Sequence, residues 1–149
     1  MQRFVIVPIA LVAVTFSGEA QDSRSIQLQG LPEDVSLSGA GTYFYFQINL
    51  TKPPVQVFSY PSTDEEGQIQ INGQIYHLKF ESSEIKKKGK GRRGLGERKI
   101  EKWKAASVSL TVDYTVTSLQ EEGLGLTGNL TINFHGQSRT YSITGYWGS

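Results

Sequence analysis

The sequence predicts an all-β domain, an antiparallel sandwich or small barrel of about eight short strands. Three observations carry this expectation. Apolar and polar residues alternate with period two along several segments, as in a half-buried strand. Tight-turn signals separate those segments, most clearly Asn72-Gly73. The chain has 149 residues, no cysteine and 38% hydrophobic content, which suits one domain held by its apolar core without disulfides.

The N-terminus reads as an address. Arg3 precedes the uncharged run Phe4 to Phe16, and Gly18 and Ala20 place small residues ahead of a cut before Gln21. This is the three-part pattern of a secretory signal. The run is shorter than the roughly 20 apolar residues that span a bilayer. The expectation is a signal peptide over 1–20 and a single β-domain over 21–149. It is exported to a periplasm, a cell surface or the extracellular space, with no transmembrane span after cleavage. Asn49-Leu50-Thr51 and Asn129-Leu130-Thr131 are formal glycosylation sequons, too common by chance to indicate a source.

The strands follow in order. Ile26–Gly30 and Val35–Ser38 are weak candidates. Thr42 to Leu50 puts Phe44, Phe46, Ile48 and Leu50 on one side and Tyr43 and Tyr45 on the other, until Pro53-Pro54 interrupts it. Val55 to Tyr60 returns. Asn-Gly suits a two-residue turn with both positions at positive φ, so Asn72-Gly73 pairs Ile69 with Tyr76 on the core face and Gln68 with His77 on the polar face. Leu78 and Phe80 continue the core face. From Ser107 to Ser118, Val108, Leu110, Val112, Tyr114 and Val116 share one face. Gly128 to Phe134 contributes Leu130, Ile132 and Phe134, and Tyr141, Ile143 and Trp147 continue in a third strand. A loop near Gln120–Gly123 sets Val112 against Leu130 and Val108 against Phe134. A loop at Gly136–Arg139 sets Phe134 against Tyr141 and Ile132 against Ile143. Both registers keep apolar partners on one face.

One segment departs from alternation. Residues 86–104 hold ten basic and two acidic residues, a net charge of +8, while the rest of 21–149 carries −7. Its glycines mark a flexible basic loop. A short helix over 97–106 is compatible with Ile100 and Trp103 three residues apart. The candidate binding residues for an anionic partner are Lys86, Lys87, Lys88, Lys90, Arg92, Arg93, Arg98, Lys99, Lys102 and Lys104, with Trp103 as an interfacial or stacking anchor. The competing expectation is a solvated insertion folded back on the acidic body.

Catalytic signals are sparse. No Gly-x-Ser-x-Gly, HExxH or phosphate-loop motif is present. His77 and His135 fall on polar faces, as does Asp113. The acids at 64–66 and 121–122 each run into glycine, as turns do. The sequence points to no cofactor and no metal. The expectation is an exported, non-enzymatic binding or structural module whose basic loop meets a polyanion or anionic surface. The alternatives are a small secreted hydrolase using carboxylates, whose acids can come from anywhere in a fold, and a barrel carrying a small apolar ligand.

Overall fold

The computed structural model describes residues 25–36, 39–48, 50–62 and 66–148. The leader read over 1–20, the sequon at Asn49 and part of the Val35–Ser38 candidate lie outside them. Nine strands are present among the described residues: β1 (Leu28–Gln29), β2 (Gly41–Phe46), β3 (Val55–Pro61), β4 (Glu66–Ile71), β5 (Gln74–Lys87), β6 (Arg98–Lys104), β7 (Val108–Gln120), β8 (Gly123–Phe134) and β9 (Gln137–Gly148). From β2 to β9 each strand pairs antiparallel with its successor, and β9 pairs with β2. The result is a closed eight-stranded up-and-down barrel with β1 added outside the ring. Closure removes the exposed edges that an open sheet of this size would carry.

The seam explains the extra strand. Among the described residues β3 and β4 share two pairs, Phe58–Ile69 and Ser59–Gln68. Beyond them β4 pairs with β1 instead, Leu28 opposite Ile71 and Gln29 opposite Gln70. Asn72 holds β1 in place. Its backbone N–H donates to Gln27 O, its side-chain amide donates to Ser25 O, and its Oδ1 accepts from Gln27 N. The same residue shapes the turn, with φ of 51° at Asn72 and 79° at Gly73.

The interior is filled. Phe44, Phe58, Ile69, Leu78, Leu130 and Ile132 are fully buried, and rings interlock between them. Phe44 lies 5.5 Å from Tyr114 and Phe58 5.3 Å from Trp103, centroid to centroid. Eight strands leave an interior just wide enough for such a filling. Gly145 makes room for it, since a Cβ there would meet the Phe44 ring at 2.7 Å.

The registers read from the Asn-Gly hairpin and from β7–β8 are those observed. Other expectations are corrected. β9 follows a two-residue turn at His135-Gly136, both at positive φ, so Phe134 pairs with Gln137 and Leu130 with Tyr141. The shift is even, and the core set keeps its face. β2 ends at Phe46, leaving Ile48 and Leu50 exposed rather than in the core. Val35 and Ser36 turn back onto Pro32 O rather than forming a strand. The segment 97–106 forms no helix. It supplies β6, because its inward residues are needed to complete the ring between β5 and β7. Tyr43 is buried against Tyr146, and its hydroxyl donates to Gly39 O.

Candidate functional site

The basic segment divides among three structures. Lys86 and Lys87 end β5, residues 88–97 make the connection, and Arg98 to Lys104 form β6. The connection is itself a small hairpin, in which Lys90 and Leu95 exchange backbone hydrogen bonds of 2.8 and 3.1 Å. Gly91, Gly94 and Gly96 all sit at positive φ, so the glycines that suggested a slack loop in fact shape a closed tip. The tip leans on its neighbours. Gly96 N donates to Val116 O, and the Arg93 guanidinium donates to the carbonyls of Gln120 and Gly123.

Strand periodicity then sorts β6. Lys99, Glu101 and Trp103 point into the barrel, while Arg98, Ile100, Lys102 and Lys104 point outward. Trp103 is only 2% exposed and packs against Phe58, Tyr60 and Phe80, so it cannot anchor a surface or stack on a ligand from solvent. Its role in the candidate set is corrected to core. Arg98 forms a two-pronged pair with Asp113, at 2.9 and 2.7 Å. That guanidinium holds the Asp113 carboxyl below the usual carboxylate range. Lys86 lies 3.2 Å from Glu84.

The remaining cations gather on one side. Lys79 and Lys104 are direct cross-strand partners, and Lys102 follows two residues along the same outer face. Lys87 sits beside Arg98 where the strands leave the barrel, and the tip adds Lys88, Lys90 and Arg92. Among the described residues none of Lys79, Lys87, Lys88, Lys90, Arg92, Lys102 or Lys104 forms an ion pair. β6 alone gives this stripe a length of roughly 20 Å at ~3.4 Å per residue.

The inward residues of β6 build a second feature, which the sequence reading missed. At the rim where β6 begins, a cavity of about 290 Å³ opens beside the basic hairpin. Glu101, 6% exposed, sits at its inner end. Three donors converge on this carboxylate: Tyr60 at 2.8 and 3.0 Å, Tyr114 at 2.9 Å and the Trp103 indole N–H at 3.3 Å. No cation within ion-pair distance joins them among the described residues. Burial, with Glu101 close by, pushes both phenols well above the ordinary tyrosine range, so they remain donors into alkaline solution. Thr42 and Ser62 add hydroxyls and Lys99 an ammonium, while Leu124 and Leu126 form an apolar wall. Trp147 lies on the inward face of β9 at the rim, 47% exposed because the barrel ends there. The available signal was the spacing of residues 97, 99, 101 and 103, which puts Glu101 inside once the segment is a strand. Compared with protein-family models, curated proteins and solved structures, the chain matches none.

Proposed function

We propose that this chain is an exported, non-enzymatic binding module that holds a polyanion or anionic surface along the β5–β6 face and the hairpin beyond it. One observation carries the reading. Lys79 and Lys104 stand directly opposite each other with Lys102 beside them, and although Glu66 is the partner of Lys79 on β4, none of the three lysines forms an ion pair among the described residues. Like charges in cross-strand register destabilise a sheet, and an arriving anion relieves that repulsion. Residues of the candidate set that fit this role are Lys87, Lys88, Lys90, Arg92, Lys102 and Lys104. Arg93 and Arg98 are engaged within the fold.

The filled interior weighs against a carrier of an apolar ligand. Glu97 and Glu101 both line the rim cavity, but they lie four residues apart on an extended chain, roughly 13 Å at ~3.3 Å per residue. That is a backbone spacing, while paired glycosidase carboxyl groups stand about 5–9.5 Å apart; Glu101 is already held by three donors, so nothing in the cavity favours the hydrolase reading. The test is retention on immobilised heparin against a salt gradient. Wild type should elute only as added salt shortens the screening length below about 8 Å. Lys102→Glu with Lys104→Glu should elute near the void. Equal retention of both proteins would sink the proposal.

A further inference from the structure

We propose that the rim cavity is a sugar subsite, which takes one ring of an acidic glycan whose chain continues along the basic hairpin. This rests on the polyanion reading above and narrows the polyanion to a carbohydrate. The argument starts from hydrogen-bond inventory. Tyr60 and Tyr114 both line the cavity and spend their hydroxyl protons on Glu101. A carboxylate has about four acceptor positions, and Glu101 uses three donors. The inner end therefore presents a buried negative charge with residual acceptor capacity beside the hydroxyls of Thr42 and Ser62, and it suits a neutral ligand group that both donates and accepts. A ring of hydroxyls meets that need. A phosphate or a fatty carboxylate would set its own negative oxygens against Glu101.

The walls agree with this choice. Leu124 and Leu126 oppose the polar side and suit the C–H face of a sugar ring. Trp147 is a large aromatic left half-exposed on the inward face of the rim, where an indole stacks on an apolar ring face without sealing the entrance. Lys99 lies two residues outward from Glu101 on the same inner face, between the cavity floor and the hairpin. It supplies the countercharge for a uronate or sulfate substituent at the outer end of the ring. The volume, about 290 Å³, lies at the small end of ligand pockets and matches a single ring rather than a long chain. Neighbouring sugars would then emerge beside the hairpin cations.

Two probes separate this site from the outer stripe. Tetragalacturonate carries rings, hydroxyls and carboxylates, whereas short-chain polyphosphate carries charge without rings. Binding of each to the full chain is measured by titration calorimetry, with tryptophan emission followed in parallel. Tetragalacturonate should bind wild type and perturb emission, and Glu101→Gln and Trp147→Ala should each weaken it at least tenfold. Polyphosphate binding should be unchanged in both variants. Trp147 is a rim residue, so its variant decides the matter if Glu101→Gln does not fold, as judged by circular dichroism. If the folded variants bind tetragalacturonate as wild type does, or wild type binds polyphosphate alone, the sugar subsite is wrong and the stripe survives. If wild type binds neither probe, both proposals fall.

Discussion

Asn72 shows how much one residue can specify. It accepts the positive φ of a type I′ turn, and its side chain clamps β1 onto the barrel seam. Asn72→Gly separates the two roles, because glycine adopts the same φ without strain. Two side-chain hydrogen bonds at about 0.5–1.5 kcal/mol each set the expected loss at about 1–3 kcal/mol in urea unfolding. Amide exchange should rise at Leu28 and Gln29 well before it rises in β7 or β8. Glu101 makes a comparable point through its partners. Tyr60 and Tyr114 have pKa values raised above their unfolded value of 10.0, chiefly by burial and next by Glu101. A group raised in this way contributes stability that is fully present below its unfolded pKa and is lost as pH rises above it. Wild type should therefore lose stability steeply from about pH 10 upward. The double variant Tyr60→Phe, Tyr114→Phe should be less stable at pH 7 yet decline less steeply between pH 10 and 12. Thermal unfolding across that range checks both slopes, and parallel curves would rule the two phenols out as the titrating groups.

At the scale of elements, hairpins were legible where turn chemistry and alternation agreed. Asn72-Gly73 fixed its own register, and the apolar run of β7 found β8 because only one pairing kept Val108, Leu110 and Val112 on the face of their partners. The β8–β9 register was misjudged because His135, a residue that seldom takes positive φ outside such turns, stands where asparagine would have announced a two-residue loop. β6 was hidden by its charge. A strand that alternates lysine with glutamate and tryptophan does not look apolar on either face, although its inward face closes the barrel. The correct hairpin register still yields a contrast. Leu78→Ala should cost about 2–5 kcal/mol, as for a fully buried leucine. His77→Ala should stay within about 0.5 kcal/mol, despite the 3.3 Å contact with Glu66, because both side chains are half-exposed. Lys104→Glu is the sharper probe of β6. Opposite Lys79 it replaces repulsion with attraction and should stabilise the barrel by about 0.2–1 kcal/mol. The same change should weaken heparin retention, a gain in stability coupled to a loss of binding that a purely structural face would not give.

For the whole molecule, the choice between sandwich and barrel was not legible. Closure depends on β9 meeting β2 across about a hundred residues of chain, and no local period encodes that meeting. The charge split was legible, but its placement was not. Closure brings the start of β6, the end of β9 and the start of β2 to one rim, which sets the basic hairpin beside the Glu101 cavity. Whether that hairpin serves the fold or a partner can be decided by removing it. Lys87 and Arg98 are already cross-strand partners, so residues 88–97 can be replaced by an Asn-Gly turn that leaves the β5–β6 ladder intact. The replacement removes Lys88, Lys90, Arg92, Arg93 and Glu97, and with them the Arg93 contacts to the β7–β8 turn and the backbone hydrogen bonds of Gly96 and Glu97 with Val116. The Arg93 contacts join exposed or part-buried groups, and the two backbone bonds at Val116 are worth about 0.5–1.5 kcal/mol each, so the barrel should lose a little stability but keep its β-sheet circular dichroism and its cooperative unfolding. Polyanion binding should weaken and become less sensitive to salt. It should persist in part, because Lys79, Lys102 and Lys104 remain on the outer face. A shortened chain that unfolds at markedly lower temperature and binds heparin as before would make the hairpin a clasp on the barrel, and the binding reading would then rest on the outer stripe alone.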